Sequence, residues 1–143
     1  MTFVLDSSVT LSWCFDDERT PATTAVLDAL VNGGATAPSL WPLEVLNGLA
    51  VAERRKRLGA EHRQRLTHFL HELPVVIDDE TATQAWVVTA KLAAHHRLTL
   101  YDAAYLELAQ RLSLPLATLD EALRAAAGAL GVALLGSAAD GAP

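Results

Sequence analysis

Five short apolar runs divide the chain, and helical signals fill the intervals between them. The runs Thr2–Leu5, Ala35–Pro38, Pro74–Asp78, Leu114–Thr118 and Val132–Leu135 are too short for helices and read as strands. Ser7 to Phe15 follows the first, with Val9, Leu11, Trp13 and Cys14 apolar. Thr20-Pro21 places an N-cap before a proline at the first helical position. The helix it opens carries Val26, Leu27, Leu30 and Val31 on one stripe and stops at Gly33-Gly34. Ser39 caps a helix expected over Leu40–Leu58, with Pro42 early enough to be tolerated and a basic last turn before Gly59. Further helices are expected over Ala60–Leu73, Glu80–His95, Thr99–Leu112 and Glu121–Ala127. The Glu80–His95 helix is expected to bury Ala82, Ala85, Trp86, Val88 and Leu92. Strands that alternate with helices pair in parallel through helical crossovers. The expected fold class is therefore α/β, a mainly parallel central sheet of four to five strands flanked by helices. Residues 1–135 are expected to form one domain, and the small, polar stretch 136–143 a disordered tail.

A chain of 143 residues suffices for one domain with a core. Its 51% apolar and 20% charged residues fit an ordinary globular protein, and no apolar run reaches membrane-spanning length. There is no basic n-region with a long apolar h-region, so no signal peptide is expected. Cys14 is the only cysteine, which excludes an intrachain disulfide and suits the cytoplasm. The net charge of −6 argues against a general nucleic-acid binder. The run Glu53-Arg54-Arg55-Lys56-Arg57, with Arg63 and Arg65 behind it, is nevertheless a local basic cluster. It reads either as a solvated helix face or as a phosphate-binding patch.

Four acids fall at the ends of elements. Asp6 follows the first strand, Asp120 the fourth, and Glu44 and Asp102 lie in the first turns of their helices. Ligands of open α/β sheets bind outside the carboxyl ends of the strands. Each acid taken singly is also a good helix cap. Four converging carboxylates would repel one another unless a divalent cation joined them, and an all-oxygen set suits Mg2+ or Mn2+. No Cys/His set stands at zinc spacing.

Four segments carry a family resemblance. Val4-Leu5-Asp6-Ser7-Ser8 resembles the opening motif of PIN domains, especially the toxins of VapBC toxin–antitoxin pairs. Pro42-Leu43-Glu44-Val45-Leu46-Asn47 resembles their second motif, and Leu98 to Ala109, centred on Tyr101-Asp102-Ala103-Ala104-Tyr105, their third. Leu116-Ala117-Thr118-Leu119-Asp120-Glu121-Ala122-Leu123 resembles the fourth. The motifs occur in family order and span nearly the whole chain. The resemblance implies a PIN-like fold and a catalytic, metal-binding set of Asp6, Glu44, Asp102 and Asp120. It also implies Ser7 and Thr118 as supporting hydrogen-bonding residues, with Asn47 at a recurring position of less defined role. It further implies an RNA substrate, a small antitoxin partner and a homodimer.

The chemistry so implied is Mg2+- or Mn2+-dependent hydrolysis of RNA phosphodiester bonds by a metal-activated water. A route through the 2′-OH would need paired histidines, and His62, His68, His71, His95 and His96 all sit in contexts that read as solvated. Arg54, Arg55 and Arg57 are the candidate phosphate contacts. Trp13, Trp41 and Trp86 read as core or interface side chains before base-stacking platforms. Leu27, Leu30, Leu40 and Leu43 read either as core or as a dimer face. A phosphatase of the haloacid dehalogenase kind would need an acid where Ser8 stands, and a dinucleotide-binding domain a glycine-rich first turn. The remaining alternative is a catalytically weak module that keeps the pocket to bind RNA or an antitoxin.

Overall fold

In the computed structural model, which describes residues 2–143, five strands form one all-parallel sheet. They are β1 (Val4–Leu5), β2 (Ala35–Ala37), β3 (Val75–Ile77), β4 (Leu116–Ala117) and β5 (Leu134–Leu135), in the order β3-β2-β1-β4-β5. Helices α1 (Ser7–Ser12) and α2 (Pro21–Gly33) cross from β1 to β2. Helices α3 (Trp41–Arg54) and α4 (Ala60–His71) cross from β2 to β3. The longest crossover, from β3 to β4, holds α5 (Thr81–Gln84), a π-helical turn (Ala85–Thr89), α6 (Ala90–His96) and α7 (Leu100–Leu112). Helix α8 (Glu121–Ala129) joins β4 to β5. Val4, Leu5, Leu116 and Ala117 are fully buried, as expected of a sheet covered on both faces. The α/β reading and the strand positions therefore stand, with ends shifted by a residue or two.

The order of strands decides where the site lies. The chain winds outward from β1 through β2 to β3, then returns to the other side of β1 with β4 and β5. Adjacent crossovers leave β1 and β4 in opposite directions, which opens a crevice at their carboxyl ends. Leu5 pairs with Ala117, so the next residues, Asp6 and Thr118, come out side by side.

Three expectations need correction. Helix α3 ends at Arg54 and not at Leu58, because Lys56 adopts a left-handed φ of 60° and turns Leu58 into the core. The Glu80–His95 stretch does not bury Trp86 or Val88. Trp86 is 86% exposed, and Val87, Val88 and Ala82 are exposed with it. The wider π turn adds a residue to the helical repeat, so the inward face passes to Thr89 and Ala93. Residues 137–140 are tied down and not frayed. Asp140 accepts from Arg124 Nη2 at 2.6 Å and from the Ser137 backbone N–H at 3.0 Å, and Arg124 Nη1 also donates to the Thr118 carbonyl at 2.8 Å. Of the four leucines that read as core or dimer face, Leu30 is fully buried and Leu27 and Leu40 pack on the core, while Leu43 faces outward. No described helix is long and apolar enough to cross a membrane.

Candidate active site

Asp6 leaves β1 at the crevice with only 4% of its surface exposed. A buried carboxylate needs donors, and two hydroxyls supply them at the same oxygen. Ser8 Oγ donates to Oδ2 at 2.6 Å and Thr118 Oγ1 at 2.8 Å. Ser8 Oγ also accepts the Leu119 N–H at 2.9 Å, and Thr118 Oγ1 accepts the Asp120 N–H at 3.1 Å. Each hydroxyl thus spends its proton on Asp6 and its lone pair on the loop after β4. Burial raises the Asp6 pKa; the Ser8 and Thr118 hydrogen bonds oppose that, and the Glu44 charge adds to it.

Glu44 enters from the first turn of α3. Trp41 sets the helix entry, because its buried Nε1–H donates to Thr10 Oγ1 at 3.0 Å and Thr10 in turn donates to the Asp6 carbonyl at 3.1 Å. Gly48 allows close packing one turn later, where an added Cβ would stand 2.6 Å from a Leu11 methyl. With α1 drawn against α3, Ser7 Oγ reaches Glu44 Oε1 at 3.3 Å, and Tyr105 OH donates to the same oxygen at 2.6 Å. Burial raises the Glu44 pKa; hydrogen bonds from Tyr105 and Ser7 oppose that, and the Asp102 charge adds to it.

Asp102 lies in the first turn of α7, where its N–H donates to the cap hydroxyl of Thr99 at 3.1 Å. Its pKa is raised by burial, then by the charges of Asp120 and Asp6. Asp120 caps α8, with Oδ1 accepting the Leu123 N–H at 2.8 Å. Capping therefore accounts for one oxygen of Asp120 but not for Asp6, Glu44 or Asp102, none of whose carboxylates caps its helix. Charge links the four in sequence, Glu44 with Asp6 and Asp102, and Asp102 with Asp120. Among the described residues they do not close to mutual ligand spacing. The trio that does is Asp78, Asp79 and Glu80, and Arg111 already pairs there with Asp78 at 2.7 Å and Glu80 at 3.4 Å.

The four acids thus gather at the strand-order reversal, close enough for their charges to act on one another. The sequence pattern of the PIN domain family matches residues 3–129. The chain belongs to the PIN domain family. It is 31% identical over 126 residues to Ribonuclease VapC1 of Mycobacterium tuberculosis, covering 78% of this chain and 92% of that protein. The fold is similar to that of FitAcB from Neisseria gonorrhoeae, with a TM-score of 0.65, 20% identity and coverage of 94% and 96% of the two chains. It is also similar to a toxin–antitoxin complex from Klebsiella pneumoniae, with a TM-score of 0.58, 18% identity and coverage of 82% and 86%.

Two residues inside the quoted motifs of this PIN domain take roles that the sequence does not assign them. Ser8 and Tyr105 donate to Asp6 and Glu44, yet neither hydroxyl announces itself in the sequence as a partner of a particular acid. Asn47 is exposed, and its side chain makes no hydrogen bond among the described residues. The basic cluster divides. Arg57 pairs with Asp17 at 3.1 Å and Glu18 at 3.0 Å and stacks on Phe15, and Arg63 pairs with Glu53. Arg54 and Arg55 are exposed at the C-terminal end of α3, without an ion pair among the described residues. They stand about 15 Å along the helix axis from Glu44. Trp13 and Trp41 are core residues with satisfied N–H groups. Among the described residues, no histidine hydrogen-bonds to any of the four acids.

Proposed function

We propose that this PIN domain is a metal-dependent endoribonuclease of the VapC kind and the toxin of a type II toxin–antitoxin pair. The observation that carries the reading is how the carboxylate oxygens are used. Asp6 gives Oδ2 to hydroxyls, Glu44 gives Oε1, and Asp120 gives Oδ1 to its helix. No side-chain donor among the described residues reaches Oδ1 of Asp6, Oε2 of Glu44 or Oδ2 of Asp120, and the Ser7 backbone N–H is the one further donor near the Asp6 carboxylate. At least one oxygen per acid left without a side-chain donor suits Mg2+, which takes single oxygens from a few carboxylates and keeps its waters. Mn2+ accepts the same donors. Asp6, Glu44, Asp102 and Asp120 would hold the ion. When bound, it supplies an acidified water and positive charge at the scissile phosphate. Ser8 and Thr118 fix the Asp6 carboxylate, and Ser7 and Tyr105 fix that of Glu44, so neither must be ordered when RNA arrives. Arg54 and Arg55 offer phosphate contacts away from the cut. Water attack leaves a 5′-phosphate and a 3′-hydroxyl without using the 2′-OH.

Two surfaces support the partners of such a toxin. Beside Glu44, Leu43 is 72% exposed, and a recess of about 540 Å3 runs between α3, α4 and β3, lined by Trp41, Val45, Leu46, Leu70 and Val75. Exposed apolar surface next to a catalytic centre fits an antitoxin that covers it. Trp86, Val87, Leu100 and Tyr101 form further exposed apolar surface suited to a second copy of the chain.

The test is cleavage of end-labelled single-stranded RNA by the purified chain, with the product ends mapped. Mg2+-dependent products bearing 5′-phosphates, absent for Asp6→Asn, are expected. Undiminished cleavage in excess EDTA, or wild-type turnover by Asp6→Asn, sinks the reading.

A further inference from the structure

Asp102 and Tyr105 sit three residues apart on one face of α7, the acid partly exposed and the phenol fully buried. A glutamate has more side-chain freedom to lose than an aspartate, so Glu44 needs the most restraint of the four acids. Its Ser7 hydrogen bond, at 3.3 Å, is long for a hydroxyl donor, whereas the Tyr105 bond at 2.6 Å is short and strong. We infer that Tyr105 is a positioning residue for Glu44, its O–H holding Oε1 so that Oε2 stands ready for a divalent cation. The phenol O–H is the donor and the carboxylate oxygen the acceptor. One helix thus supplies a candidate ligand at the rim and, one turn deeper, the group that orients another. The inference rests on Glu44 being a metal ligand.

Calorimetric titration with Mn2+ separates the two ideas. Tyr105→Phe is expected to weaken Mn2+ binding roughly 10- to 100-fold, the usual cost of losing a partner that orients a ligand. The double variant with Glu44→Gln should bind no worse than Glu44→Gln alone. Wild-type affinity in Tyr105→Phe, with Glu44→Gln weakened, overturns the role of Tyr105 and leaves the site reading intact. An equal loss on both backgrounds also overturns it, since Tyr105 would then act only on the fold. Wild-type affinity in Glu44→Gln removes Glu44 from the site and the inference with it. A second measurement does not depend on Tyr105→Phe folding. The chain has two tyrosines, so 3-fluorotyrosine in a Tyr101→Phe protein places a single fluorine probe at position 105. Its resonance should move with Mg2+, and the shift should vanish with Glu44→Gln. A resonance blind to Mg2+ in the otherwise intact site overturns the proposal.

Discussion

Thr118 Oγ1 donates a 2.8 Å hydrogen bond to Asp6 Oδ2, joining the ends of two strands 112 residues apart in the chain. The same hydroxyl accepts the Asp120 N–H, so one side chain fixes one candidate ligand and the backbone of another. Thr118→Val keeps the shape and removes both bonds. Removing a hydrogen bond to a charged group costs about 1.5–3 kcal/mol, and urea unfolding should show a loss in that range. Metal affinity should fall roughly 10- to 100-fold. Unchanged Mn2+ affinity would show that Ser8 alone suffices to hold Asp6.

The buried Asp6 gives the metal-free protein a distinctive pH response. Its folded pKa is raised above the unfolded value, chiefly by burial. A raised carboxyl contributes stability that is fully present below the unfolded pKa, about 3.9. That contribution is lost as pH rises through the folded pKa. In EDTA, wild type should therefore lose stability relative to Asp6→Asn as pH climbs from about 4 toward neutrality. Thermal melts of both proteins across that window check the sign, and parallel curves would refute it.

Ion choice follows from the oxygens already engaged. Ca2+ takes six to eight oxygens and often both from one carboxylate, yet Asp6, Glu44 and Asp120 each have one oxygen held by a protein donor. Mg2+ and Mn2+ should support cleavage, while Ca2+ should inhibit the Mg2+ reaction only at roughly tenfold or greater excess. Potent inhibition by equimolar Ca2+ would mean that the hydroxyl donors yield to the ion.

Arg111 serves the fold away from the candidate ligands. It pairs with Glu107, which is 3% exposed, at 2.7 Å and with Asp78 at 2.7 Å. Arg111→Met leaves Glu107 without its partner in the interior, at a cost of about 3–5 kcal/mol. Guanidinium unfolding should show that loss, and a deficit below about 1 kcal/mol would mean that water reaches Glu107.

The basic cluster should prove functionally uneven. Reversing Arg54 and Arg55 to Glu should weaken RNA binding and lower its salt slope by about one for each phosphate left without its cation. Arg57→Gln should change binding less than about twofold, because its charge is already matched by Asp17 and Glu18. Filter binding over a salt series distinguishes the two variants. Equal losses from Arg57 and from Arg54 with Arg55 would contradict the division.

Local physical chemistry settles the order of elements, the α/β class and the placing of Asp6, Glu44, Asp102 and Asp120 at element ends. A strand period, a capping threonine or a glycine stop acts over a few residues and is visible in them. What fails is whatever depends on a distant partner or on a small change of helical phase. Trp86 sits on an apolar stripe by ordinary helix counting, but one π turn rotates it into solvent. Arg57 looks like its neighbours until Asp17 and Glu18, some forty residues upstream, claim its charge. The register Leu5 with Ala117 sets Thr118 beside Asp6, and Gly48 lets α1 close on α3 so that Ser7 meets Glu44. Tyr105, on α7, reaches Glu44 across 61 residues through tertiary packing alone. The types and order of the acids lie in the chain itself. Which oxygen of Asp6 and of Glu44 is held was decided only when packing brought the hydroxyl donors within about 3 Å, the range over which a hydrogen bond acts.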